Sequence, residues 1–228
     1  LAGGMSGGST KIEKTGKYGA PVEKPEDPTK NGYTFEGWDK EIPTTFPATA
    51  ETYTAKWIVE GNFKITYELY GGTNNDENPE EYNVESETIT LKEPTKAGYT
   101  FLYWTNSSTN KQITEIAKGS IGDITLLANW EVNTDTAYKV KHYRQNIEDD
   151  EYTLFETEDK VGKTGETTTA SEKSYEGFTA KDFTQAVIAG DGTTIVEIRY
   201  DRKDVTLTFD LAGGMSGGST KIEKTGKY

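Results

Sequence analysis

The chain has 228 residues with 28% charged side chains and a formal net charge of −13, so it carries a folded protein's surface and repels polyanions, nucleic acid included. No apolar run reaches the ~18–20 residues that cross a bilayer, which argues against membrane insertion in this segment. The absence of Cys excludes disulfides and thiolate metal sites. Hydrophobic residues make up only 32%, but 14 Tyr, 8 Phe and 4 Trp supply enough buried area for several small cores.

In chain order, the first feature is a repeat. Leu1–Tyr18 reappear unchanged as Leu211–Tyr228, and the offset, 211 − 1 = 210 residues, is read as the period of a tandem array on which the chain is a window. Val205–Asp210, an alternating run of β-branched and aromatic residues, precedes only the second copy. Residues 1–57 are therefore expected to form a module lacking its first strand, and 204–228 the first hairpin of the next period's module. Gly3, Gly4, Gly7 and Gly8 mark hairpin turns in the opening stretch.

Pro28–Trp38 then runs Pro-Thr-Lys-Asn-Gly-Tyr-Thr-Phe-Glu-Gly-Trp. It returns at Pro94–Trp104, differing only at Asn31/Ala97, Glu36/Leu102 and Gly37/Tyr103. Pro ends the preceding element, Gly permits a positive φ, and Tyr-Thr-Phe alternates faces and delivers a Trp. Each unit closes on a second Trp, Trp57 or Trp130. The second unit spans 63–130 and carries an insertion around Thr105–Lys111 whose composition predicts a surface loop. The third, 137–203, predicts strands at Ala137–Gln145, Tyr152–Glu156 and Thr194–Tyr200, with Val196, Ile198 and Tyr200 on one face. Ile113–Lys118 and Lys181–Ile188 are read as segments able to form a helical turn or two. The fold class is mainly β, α+β at most.

The order Thr-Phe-Asp-x-x-Gly-Gly, Pro-Thr-Lys-x-Gly-Tyr-Thr-Phe-x-Gly-Trp, Ala-Lys-Trp resembles the Listeria–Bacteroides repeat, the B repeat of internalin-type surface proteins. The second unit departs from it by placing Tyr103 where the family has Gly. The third unit, opening on Val140-Lys141-His142-Tyr143 and closing on Arg199-Tyr200-Asp201-Arg202, is similar to mucin-binding-protein repeats. These resemblances imply small β-grasp-like modules in a linear array on an extracellular bacterial protein, and they imply no chemistry.

The residues themselves offer little chemistry. His142, the one histidine, sits in an alternating strand, with no Cys or second His to build a conventional catalytic site. Asp76-Glu77 and Asp149-Asp150-Glu151 lack the spacing of a calcium loop and are read as solvated loops. Gly-Gly-Met-Ser-Gly-Gly lacks the Gly-Lys-Ser/Thr ending of a phosphate loop and is read as a hairpin turn. No catalytic, metal or cofactor site is assigned. The expected structural core is Tyr33, Phe35, Trp38 and Trp57 in the first unit and Tyr99, Phe101, Trp104 and Trp130 in the second. Tyr82, Tyr143 and Tyr175 are expected to be more exposed.

Two functions compete. One is a non-enzymatic stalk or fibre segment of a bacterial cell-surface protein, whose partners are neighbouring copies of the repeat, head to tail. The alternative is an adhesive module that binds host glycoprotein or glycan, chiefly through the third unit, with repetition supplying avidity.

Overall fold

A computed structural model describes residues 1–228 as two compact units, Leu1–Thr95 with Phe101–Asn129, and Lys96–Thr100 with Trp130–Tyr228. Every regular element is a strand, in line with the mainly β fold class, and no helix is long and apolar enough to cross a membrane.

The first unit opens with two tight turns. Ala2 and Gly3 both take positive φ (49° and 84°) and Gly4 N–H donates to Leu1 O, the geometry of a type I′ turn. Ser6–Ser9 repeat it over Gly7 and Gly8. Strands β1 (Tyr33–Trp38) and β2 (Ala55–Val59) form an antiparallel pair with a bulge between Phe35 and Gly37. Gly37 takes φ +139° at that bulge, a conformation side chains resist. In the second repeat Tyr103 stands at this position inside an unbroken strand and is not among the residues of positive φ.

The second repeat is more complete. Its strands are β3 (Phe63–Glu68), β4 (Glu81–Tyr82), β5 (Ile89–Thr90), β6 (Tyr99–Asn106), β7 (Lys111–Ile113), β8 (Glu115–Ile116) and β9 (Ile124–Val132). The main sheet has the order β4-β3-β9-β6-β7, and β5 pairs with β8 separately. Its centre is the parallel pair β3/β9, made from the opening and closing strands of the repeat. Such a pair needs a long crossover, supplied here by Leu69–Asp123. Ile65, Tyr82, Leu91, Trp104, Ile116 and Leu126 are buried there. The insertion at Thr105–Lys111 forms the tip of the β6–β7 hairpin, where Asn110 takes φ 53°.

The second unit contains β10 (Thr136–Gln145), β11 (Tyr152–Gly162), β12 (Phe178–Ala180) and β13 (Ile195–Arg202), in the order β11-β10-β13-β12. Here again the first and last strands, β10 and β13, are parallel neighbours. Tyr138, Val140 and His142 alternate inward from β10 to meet Val196, Ile198 and Tyr200 of β13. The hairpin β14 (Asp204–Asp210) and β15 (Lys221–Lys227) completes the unit.

Two expectations are corrected. Ile113–Lys118 forms no helical turn: Ile113 ends β7, and Ile116 is buried in β8 at 3% exposure. Lys181–Ile188 is extended, because Thr168 N–H donates to Ala186 O and Ile188 N–H to Glu166 O across a neighbouring segment. In both places tertiary pairing overrides a weak local preference. The crossover from β3 to β9 likewise holds no helix: it carries the strands β4 to β8, with Tyr82 and Leu91 buried.

Trp104 is 2% exposed, and its Nε1–H donates to Lys92 O at 3.0 Å, whereas Trp38 is half-buried and its Nε1–H lacks a partner. Trp104→Ala should therefore destabilise the first unit by about 3–5 kcal/mol, the range for large aromatic truncations in cores. Trp38→Ala should cost clearly less. Denaturant titration followed on the first unit's amides by NMR would check the order; equal losses would contradict it.

Candidate functional site

The feature that recurs most faithfully is a turn. Lys30–Tyr33, Lys96–Tyr99 and Tyr175–Phe178 each close with an amide donating three residues back, at 3.0, 3.1 and 3.1 Å. Gly32, Gly98 and Gly177 all take φ +76° there. Each glycine carbonyl accepts the N–H of the residue that follows its module's closing strand: Glu60 at 2.9 Å, Asn133 at 2.9 Å and Lys203 at 2.8 Å.

The bare Cα of each glycine is also a contact surface. A Cβ on Gly32 would stand 2.7 Å from Cβ of Val84 and 3.1 Å from Cγ2 of Ile121, in the next repeat. On Gly98 it would overlap Thr164 Oγ1 and stand 2.5 Å from Cα of Gly190. On Gly177 it would run into the Tyr228 ring. Polar contacts flank the joints. Tyr33 OH donates to Glu85 Oε1 at 3.1 Å, and Thr100 Oγ1 to Asn133 Oδ1 at 2.8 Å. Asn133 O and Lys203 O accept the amides of Thr164 and Tyr228, at 3.0 and 2.9 Å. Lys30 and Lys96 sit over the rings of Tyr33 and Tyr99 at 3.8 and 4.0 Å.

The aromatic residues singled out from sequence lie behind these turns. Phe35 packs edge-on against Trp38 and Trp57, both at 5.5 Å between centroids. Phe101 lies 5.3 Å and Tyr67 5.4 Å from Trp104. Tyr33, Phe35, Trp57, Tyr99, Phe101 and Trp130 are half-buried. Of the four Trp only Trp104 is fully buried. Tyr82 is not exposed: at 5% exposure its hydroxyl donates to Gly122 O, a half-buried carbonyl partner that sequence could not reveal. Tyr175 is half-buried against His142, Phe155 and Tyr200, and Tyr143 is half-buried with its hydroxyl on Glu197.

His142 is fully buried in β10. Tyr200 OH accepts Lys173 N–H at 2.8 Å and lies 2.8 Å from His142 Nδ1, while His142 Nε2 lies 2.7 Å from Glu158 Oε1. A hydroxyl that accepts from the Lys173 amide and donates to Nδ1, with Nε2–H donating in turn to Glu158, satisfies the whole chain. Lys173 Nζ and Tyr175 OH, at 2.6 and 2.8 Å, hold the Glu156 carboxyl below its ordinary value. Burial raises Glu158, but the bonds from His142 and Lys160 outweigh it and leave that carboxyl lowered too. The network ties β10, β11 and β13 together and lines neither the recess at Phe35 and Trp38 nor the one at Ile12. The acidic clusters are tied locally: Asp149 to Asn146 and the Glu151 amide, Asp150 to Lys227, Glu77 to Lys92. No group of three or more His, Asp or Glu is placed to hold a metal ion.

The recess at Phe35 and Trp38 lies in the first repeat. It measures about 700 Å³ and is lined by Val22, Phe35, Trp38, Ile42 and Pro43 among others. Trp38, the tryptophan with the unpartnered N–H, forms part of its wall.

The Listeria-Bacteroides repeat domain matches residues 5–60 and 63–129. Two relatives from Evansella cellulosilytica carry provisional names, a membrane protein (31% identical over 151 residues) and a Gly-rich membrane protein (29% over 144 residues). The alignments cover 62% and 58% of this chain, which spans only 22% and 16% of the length of those relatives.

Two outcomes are expected. Gly98→Ala should release hydrogen-exchange protection at the amides of Asn133 and Thr164. Gly119, with φ +85° and no atom within 4 Å of an added Cβ, separates backbone strain from lost contact. Gly119→Ala should show only a strain cost of about 1–2 kcal/mol, and equal effects at both sites would dissolve the joint. The second outcome concerns pH. Because Glu156 and Glu158 are held below the ordinary 4.5, their stabilisation is present above that pH and is lost as pH falls through the lowered values. The second unit's melting temperature should therefore drop on acidification below pH 4.5, and Glu156→Gln should flatten the drop.

Proposed function

The chain belongs to the Listeria-Bacteroides repeat domain family, and from that premise we propose that it is a non-enzymatic stalk or fibre segment of a bacterial cell-surface protein, built on a 210-residue period. The carrying observation is the joint at Gly32, Gly98 and Gly177, where the turn that finishes each module's core is pressed against the chain beyond it. A binding domain has no need for one docking turn repeated three times. A spacer does, because a module of ~65 residues held at such a joint swings less than one on a free Gly/Ser linker. Three such modules, each about 28 Å across by its expected radius of gyration, would add roughly 80–90 Å per period if strung end to end. The membrane-protein names of the relatives support an extracellular, surface-attached setting. So does the net charge of −13, which keeps neighbouring fibres apart.

The adhesive alternative for the third module rests on the resemblance of Val140–Tyr143 and Arg199–Arg202 to mucin-binding-protein repeats read in the sequence alone. Its aromatic residues argue against a sugar platform: Tyr138 and Tyr200 are buried at 2% and 1% exposure, and Phe155 is covered on one face by the Arg144 guanidinium at 3.2 Å.

Electron microscopy of the native molecule should show filaments with a regular axial repeat, and glycan or mucin arrays should give no signal with the 228-residue chain. A compact native particle, or specific glycan binding that survives in the 228-residue chain, would overturn the stalk reading.

A further inference from the structure

In the second repeat and in the third module, the chain enters on one strand of a parallel pair and leaves on its neighbour. β3 opens the second repeat and β9 closes it, from Ile65 opposite Ile124 to Glu68 opposite Leu127. β10 opens the third module and β13 closes it, from Lys139 opposite Ile195 to Arg144 opposite Tyr200. Because the paired strands point the same way, entry and exit lie at opposite ends of the pair. Tension between them therefore acts along the strands and slides one past the other. The slanted, evenly spaced bonds of a parallel ladder are then strained together, whereas a pair opened from one end loses them in turn.

The third module supports its pair from every side. β10 and β13 are the central strands of the order β11-β10-β13-β12, so each is also held along its far edge. The chain that forms β11 and β12 lies between them in sequence and carries no load until they part. Lys139 N–H donates to Thr194 O at 2.9 Å where the pair begins, and Lys203 N–H to Gly177 O at 2.8 Å just beyond its end. On the inner face Val140 opposes Val196 and His142 opposes Ile198, all at 2% exposure or less. His142 Nδ1 lies 2.8 Å from Tyr200 OH, a side-chain bond between the same two strands. The nearest register that keeps Val140 and His142 inward lies two residues along, about 7 Å of slip, so no intermediate pairing relieves the load.

We propose that β10 and β13 form a mechanical clamp, a load-bearing pair that resists tension applied along the chain, and that β3 and β9 do the same in the second repeat. The clamp is a property of each module's topology. Only its use rests on the stalk reading, in which the array bears tension along its length. Parting of β10 from β13 frees the chain from Thr136 to Arg202, roughly 220–240 Å at ~3.3–3.6 Å per extended residue. While the pair holds, none of that length is released, so the spacing of the array is kept under load.

The chain has no Cys, so two introduced thiols define the attachment points for single-molecule pulling on the whole 228-residue chain. Asp135→Cys with Lys203→Cys loads the pair in shear. Asp135→Cys with Ile195→Cys puts both handles at the starting ends of the two strands and peels them apart. All three positions are exposed, so each variant keeps the fold. Shear should require several times the peeling force, and its rupture should release roughly 200 Å in a single step. Equal forces in the two geometries, or release in small steps at low force under shear, would overturn the clamp even where electron microscopy shows the filaments of the stalk reading. Strong shear rupture in a chain that forms no filaments would leave the clamp standing and count against the stalk alone.

Discussion

The parallel pairing of a module's opening strand with its closing strand is the constraint on which the other features depend. β3 meets β9, and β10 meets β13, at the centre of each sheet. A parallel pair cannot be joined by a tight turn, so everything between the two strands must cross over before the core exists. In modules of about 60–70 residues there is no surplus apolar area to absorb the loss of either partner. The first repeat shows no such parallel pair. Its closing strand is five residues long against nine for β9, its Trp38 is half-buried, and its indole N–H has no acceptor.

Identical sequence in two settings makes the same point more sharply. Lys221–Lys227 form a strand bonded throughout to β14, whereas Lys11–Lys17 form no strand. Intrinsic preference is the same in both copies, so the difference is tertiary. The type I′ turns, by contrast, are the same in each copy: Ala2 and Ala212 take φ of 49° and 47°, and Tyr70 takes 49° at the matching place in the second repeat. Turn geometry is encoded locally, in glycines and their neighbours; strand formation in these modules waits for a partner.

This division explains how much could be read in advance. Period-2 alternation in Tyr138-Lys139-Val140-Lys141-His142 and in Val196-Glu197-Ile198-Arg199-Tyr200 declared strands whose inward faces the structure fills. The repeated Gly-Tyr-Thr-Phe declared a module. Tyr82 could not be placed, because its burial depends on Gly122 O, forty residues away and invisible to any local pattern. Ile113–Lys118 misled for a related reason: Ile113 and Ile116 have helical spacing, but they lie in two short strands with different partners. The joint was hidden most completely. A glycine before an aromatic residue announces a turn, and nothing in the sequence says that the space beside its Cα belongs to the next module.

The joint also gives a physical reason for the same short turn in all three modules. The third module shares little sequence with the first two, yet it retains Gly177-Phe178-Thr179 at the place of Gly98-Tyr99-Thr100. In a strand, successive residues face opposite ways, so the aromatic ring after the glycine turns toward its own core. The glycine just before it is left with its carbonyl aimed at the chain leaving the module and its bare Cα against the segment beyond. Core and joint are therefore built from adjacent residues of one turn, and a substitution at the glycine that spares the core still removes the joint. A side chain at that position faces two penalties, strain at φ +76° and collision with the next segment.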